Sequence, residues 1–132
     1  MPQKVILCID DEKTILDSLK GQLKRNLGSR FAYDFAQTAV ETFELIEDYQ
    51  SKGAKVVMII TDWLMPDTEG NEFLKSLQLQ HPEIVKVILT GHAESIFFDE
   101  VVRETHVAAL LHKPWSEEEL MSVISKNIDS IL

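Results

Sequence analysis

Asp10 and Asp11 directly follow the apolar run Val5-Ile6-Leu7-Cys8-Ile9, and Asp62 directly follows Val56-Val57-Met58-Ile59-Ile60-Thr61. Thr90 closes a third apolar segment, Val85–Thr90, and Lys113 stands just after a fourth, Ala108–Leu111. Short apolar runs of this kind read as strands, and polar residues at the ends of parallel strands converge on one edge of a sheet. Two carboxylates about 4 Å apart repel by roughly 4 kcal/mol at an effective dielectric of about 20. Three held together therefore call for a cation or for protonation. A hard divalent ion with oxygen ligands, Mg²⁺ or Mn²⁺, is the simpler solution, because such ions are held by one or two carboxylates, water and a substrate phosphate. Lys113 would pair with that phosphate and Thr90 would offer a hydroxyl. Carboxylates, a metal, a lysine and a hydroxyl suit phosphoryl transfer onto an aspartate.

The elements that position these residues follow from apolar periodicity. Strands are expected at Lys4–Ile9, Phe31–Phe35, Val56–Thr61, Val85–Thr90 and Ala108–Leu111, the first and third central because they are apolar throughout. Helices are expected at about Glu12–Asn26, Thr38–Ser51, Gly70–Gln80, Ser95–Glu104 and Ser116–Ile131. Ile15, Leu16, Leu19, Leu23 and Leu27 share one face of the first; Leu120, Val123, Ile124, Ile128 and Ile131 share one face of the last. Thr38 with Glu41, and Ser116 with Glu119, have capping-box spacing. Alternation of five strands and helices predicts an α/β domain with one doubly wound parallel sheet over residues 1–132, its site at the carboxyl ends of the strands.

Composition narrows the function. A chain of 132 residues, 45% hydrophobic and 27% charged, suffices for one core. Its net charge of -9 argues against direct nucleic-acid binding, which depends on clustered Lys and Arg. No apolar stretch has the length of a membrane span. The single cysteine, Cys8, lies within an apolar run and has no internal disulfide partner, which suits a reducing, cytoplasmic setting.

Four blocks, Ile9-Asp10-Asp11-Glu12, Thr61-Asp62-Trp63-Leu64-Met65-Pro66 with Gly70, Leu89-Thr90-Gly91 and Lys113-Pro114-Trp115, resemble the motifs of response-regulator receiver domains in order and interval. The resemblance spans nearly the whole chain. It implies a flavodoxin-like strand order, 2-1-3-4-5, and two-component signalling in which Asp62 accepts a phosphoryl group from a histidine kinase or a histidine phosphotransfer protein. Asp10, Asp11, Asp62 and the Leu64 backbone carbonyl would hold Mg²⁺, Thr90 and Lys113 would bind the phosphoryl group, and Lys113–Pro114 would be cis. An attached output domain or a downstream protein would read the state, and a homodimer through the Ser95–Glu104 helix and the fifth strand is compatible with the family. Leu110 departs from the pattern, since many receivers carry Tyr or Phe three residues before the lysine.

Other readings stand beside this one. Asp10 or Asp11 would by itself be read as a helix cap. A hydrolase passing through an aspartyl phosphate needs a second acid soon after the nucleophile, where this chain has Trp63 and Leu64. A phosphorylation-independent interaction module on the same fold usually lacks the acceptor or the acidic pair, and both are present. His81, His92, His106 and His112 lack metal-ligand spacing and are read as exposed, with His92 near enough to Thr90 to lean over the site.

Overall fold

Val and Ile dominate the first and third apolar runs, and both become strands covered on each face, as residues with β-branched or bulky apolar side chains favour. A computed structural model describes residues 3–62, 70–91 and 102–128, with the backbone alone at 70 and 71. Among these, β1 (Lys4–Ile9), β2 (Ala32–Ala36), β3 (Lys55–Asp62), β4 (Val85–Thr90) and β5 (Ala109–His112) form one sheet in the order β2-β1-β3-β4-β5. Every pairing is parallel. The helices α1 (Lys13–Leu27), α2 (Ala39–Ser51), α3 (Gly70–Gln80) and α4 (Glu117–Ile128) alternate with the strands. Residues 102–104 are also helical; the rest of the Ser95–Glu104 segment, like Leu64 and His92, lies outside the described residues.

Two strands shift by one residue from their expected bounds. A 3-10 turn at Gly28–Arg30 occupies the chain after α1, so β2 starts at Ala32 rather than Phe31. Pairing to β4 runs from Val87–Ala109 to Thr90–His112, which places β5 at Ala109–His112 and Lys113 immediately beyond it.

The sheet separates two cores. Val5, Leu7 and Ile9 face one together with Ile46, Phe73, Leu74 and Leu77 from α2 and α3. Ile6 and Cys8 face the other with Leu19, Leu23, Leu120 and Ile124 from α1 and α4. Burying each such side chain stabilises by roughly 1.5–3 kcal/mol. One irregularity decides where the site's side chains emerge. Val5 pairs with Val56 but Ile6 with Met58, so Val57 is an extra residue, a bulge in β3. Val57 and Met58 both join the α1/α4 core, and alternation then carries Ile60 to that same face. Asp62 shares the parity of Ile60, Asp10 that of Cys8 and Lys113 that of Leu111, all three of which line this core. Without the bulge, Asp62 would take the opposite face.

Both expected caps form. Thr38 Oγ1 accepts from Glu41 N at 3.1 Å and Ser116 Oγ from Glu119 N at 3.0 Å. Gly28 ends α1 at φ +59°, a conformation suited to glycine, and its N–H donates to Lys24 O. At the open edge of the sheet, Asp34 Oδ1 accepts from the Phe35 N–H at 2.8 Å while its other oxygen accepts from the Tyr49 hydroxyl at 2.7 Å. That carboxylate covers a donor which would otherwise invite another strand.

Burial, followed by the bond to Asp34, pushes the Tyr49 hydroxyl up to about 12. Its contribution to stability is therefore complete below the unfolded value of about 10 and is lost as pH rises toward 12. Burial raises Tyr33 as well, so phenolate absorbance during alkaline titration should show both tyrosines ionising above the ordinary value with Tyr49 last, and Tyr49→Phe should remove the later step. Burial alone raises the Cys8 thiol, which is 0% exposed. Iodoacetamide should leave Cys8 unmodified in native protein and alkylate it only in denaturant.

Lys86 is an unexpected cation inside the apolar β4. It is 1% exposed, its Nζ donates to Ile84 O at 3.2 Å, and burial lowers its pKa against the opposing pull of Glu83. His81 also departs from expectation. Its side chain is 13% exposed rather than solvated, because its N–H closes α3 on Leu77 O and its ring lies 6.5 Å from that of Phe43.

Candidate functional site

The ladder continues past the strand ends and sets the site. Ile9 pairs with Thr61, which brings Asp10 beside Asp62, and the Asp10 N–H donates to Ala36 O at 3.1 Å. On the other side, the Lys113 N–H donates to Thr90 O at 2.7 Å, extending the β4–β5 pairing by one residue. Asp10, Asp62, Thr90 and Lys113 thus meet at the carboxyl edge because four adjacent strands end there.

Asp10, Asp11 and Asp62 each offer a carboxylate oxygen, and these oxygens lie within 4.8 Å of one another. Asp10 is buried, Asp62 partly buried and Asp11 exposed, a gradient from the sheet outward. Lys113 Nζ donates to Asp10 Oδ2 at 2.7 Å and lies 3.5 Å from Asp62 Oδ1. Burial disfavours the charged ammonium, but the bond to Asp10 and the charges of Asp62 and Asp10 outweigh it, holding Lys113 above the ordinary lysine range. The stability this supplies is complete below the unfolded lysine value of about 10.4 and is lost as pH climbs through the folded value.

Three carboxylates and one ammonium sum to two formal negative charges. An all-oxygen donor set carrying that excess fits a divalent cation such as Mg²⁺ and suits no soft metal. Asp10 has a second task. Its Oδ1 accepts from the Glu12 N–H at 2.9 Å, at the residue that opens α1. The cap position itself is Glu12, without a side-chain cap bond, so the anticipated capping aspartate supports the turn from two residues earlier. Gln37 Nε2 donates to Asp11 O at 3.3 Å and steadies the same turn.

The Lys113–Pro114 peptide is cis. Thr90 is buried, and Leu110 projects from the edge strand at 37% exposure. Sequence reasoning named Trp115 only within its motif and missed its partner Gln22: Trp115 Nε1 donates to Gln22 Oε1 at 2.8 Å, joining the loop after Lys113 to α1. A tryptophan two residues past the lysine, needing an acceptor when buried, was the available signal.

A doubly wound parallel sheet with an acidic cluster compatible with a divalent metal and a lysine at its carboxyl edge defines an α/β domain of the class that places its site at the strand ends. Residues 6–125 match the family described as response regulator receiver domain, and the chain belongs to that family. It is 27% identical over 128 residues to the hydrogenase transcriptional regulatory protein HoxA of Cupriavidus necator, covering 97% of this chain and 25% of that protein. It thus spans about a quarter of that relative's length. A CheY-like response regulator receiver domain protein from Methanospirillum hungatei is 28% identical, with TM-score 0.83 and coverage of 97% and 95% of the two chains. The receiver domain of an HD domain-containing protein from Pseudomonas fluorescens shares the fold at TM-score 0.83 and 22% identity, covering 97% and 96%.

Proposed function

We propose that this receiver domain takes a phosphoryl group onto the Asp62 carboxylate and uses it as a conformational switch. The observation that carries the reading is the convergence of Asp10, Asp11 and Asp62 within 4.8 Å, with Lys113 Nζ bonded to Asp10 and 3.5 Å from Asp62. Asp62 is the acceptor because it is partly exposed and central in the sheet, whereas Asp10 is buried and committed to Lys113 and the Glu12 N–H.

An Asp62 oxygen attacks phosphorus, forming the acyl phosphate O–P bond. The bond from phosphorus to the donor breaks, and its electron pair leaves with the imidazole of a phosphohistidine or the acetate of acetyl phosphate. Asp10, Asp11, Asp62 and the Leu64 carbonyl would hold Mg²⁺, which when bound supplies charge neutralisation at the phosphoryl oxygens. Lys113 exchanges its contact with Asp62 for the incoming phosphoryl group, and Thr90 bonds the same group. The added charge biases these side chains toward one arrangement, which changes the surface presented by the neighbouring elements. Receiver domains interact with kinases and output domains. Here the donor is a histidine kinase or histidine phosphotransfer protein, and the output is an attached domain or a downstream protein.

Intact mass after incubation with acetyl phosphate tests the reading. A single phosphoryl adduct is expected with Mg²⁺ and none with excess chelator. A well-folded protein that stays unmodified in both would move the reading to a phosphorylation-independent module, with Leu110 the first position to examine.

A further inference from the structure

The loop that carries Lys113 is tied to the sheet by the Lys113 N–H on Thr90 O and then enters Pro114, which has no N–H to offer. Its next ties run to α1. Trp115 Nε1 donates to Gln22 Oε1 at 2.8 Å, and since an indole nitrogen can only donate, the acceptor must be the Gln22 oxygen. Glu117 then accepts from Arg25 Nε at 3.1 Å and from Asn26 Nδ2 at 2.6 Å. The Glu117 contacts are exposed and worth little, as surface ion pairs are. The Trp115–Gln22 bond is partly buried, with the indole packed against the α1/α4 core, and is the stronger tie. Its platform is rigid, because α1 buries Leu16, Leu19, Leu23 and Leu27.

We propose that Gln22 and Trp115 are positioning residues: their hydrogen bond is a strut that fixes the loop after β5 and thereby sets Lys113 Nζ between Asp10 and Asp62. The proposal rests on the reading of Asp62 as phosphoacceptor. The backbone at Lys113 is held by its own N–H on Thr90 O and by this strut two residues later, while its Nζ bonds Asp10 Oδ2. Loss of the strut loosens the backbone that carries the ammonium, so that Nζ is held by its carboxylate contacts alone, while leaving the three carboxylates in place. The strut therefore acts on the rate of phosphoryl transfer and not on metal affinity.

The test compares Gln22→Ala, Trp115→Phe, their double variant and Gln22→Glu, which keeps an acceptor oxygen. With acetyl phosphate at saturating Mg²⁺, each single variant should slow adduct formation about fivefold, the loss expected of one neutral hydrogen bond. The double variant should be no slower than either single, Gln22→Glu should match wild type, and Mg²⁺ affinity should be unchanged throughout. Unchanged rates, a slow Gln22→Glu, or slowing that follows weakened Mg²⁺ binding would each overturn the strut. Hydrogen exchange at the Lys113 amide judges it without phosphorylation and should quicken about fivefold in Gln22→Ala and Trp115→Phe. Equal exchange overturns the strut; faster exchange with no adduct even in wild type upholds the strut and removes the phosphoacceptor reading instead.

Discussion

Asp62→Asn should abolish the phosphoryl adduct while leaving a folded protein at least as stable as wild type. The amide is nearly isosteric but supplies no anionic oxygen to attack phosphorus, so transfer should fall to the rate of the donor in buffer. Stability should not fall, because one of three neighbouring carboxylates has lost its charge. Intact mass with acetyl phosphate and Mg²⁺ reads the first expectation and urea unfolding the second. A residual adduct would point to Asp11, the exposed member of the cluster, since Asp10 is 0% exposed and bonded to Lys113. An adduct at the wild-type rate would remove Asp62 from the mechanism.

Lys113→Met carries the second large expectation. Removing the ammonium takes from the buried Asp10 its Lys113 bond and leaves it beside the carboxylates of Asp11 and Asp62. Breaking a buried pair from one side costs about 3–5 kcal/mol, and opening of this edge to water should reduce that to roughly 2–3 kcal/mol in metal-free protein. Mg²⁺ should return much of the loss, since a ligand at about a hundred times its dissociation constant stabilises by about 2.7 kcal/mol. Asp11→Asn should act with the opposite sign, relieving repulsion by up to about 1 kcal/mol without metal and losing the stabilisation that metal confers. Urea unfolding with Mg²⁺ and with chelator measures all three. A Lys113→Met protein as stable as wild type in chelator would mean that the lysine does not hold the cluster together.

Much of this arrangement is legible in the sequence. The runs Val5–Ile9 and Val56–Ile60 are apolar at consecutive positions and short, as strands covered on both faces are, and both are central. Asp10, Asp62, Thr90 and Lys113 are found together because each sits at the end of a parallel strand, so chain position alone gives their place. The bulge at Val57 is not legible for the same reason that the strand is: with every residue apolar, no alternation exists to break. The bulge nevertheless selects the face on which Asp62 emerges.

Contacts between distant elements are the other blind spot. Gln22 sits beside Leu23 on α1, and periodicity assigns it only to the polar side of a helix, whereas the fold gives it the Trp115 N–H across 93 residues. His81 reads as an exposed loop residue until α3 places its ring against Phe43 of α2. In each case the local pattern names the element, and packing between elements assigns the side chain's partner.

The most direct test of Asp62 as the phosphoacceptor is chemical. Borohydride reduces an aspartyl phosphate to homoserine, so protein treated with acetyl phosphate and Mg²⁺, then reduced and digested, records the acceptor in its peptide masses. Homoserine at position 62, absent when chelator replaces Mg²⁺, is the expected result. Homoserine at position 10 or 11 with unmodified Asp62 would contradict it.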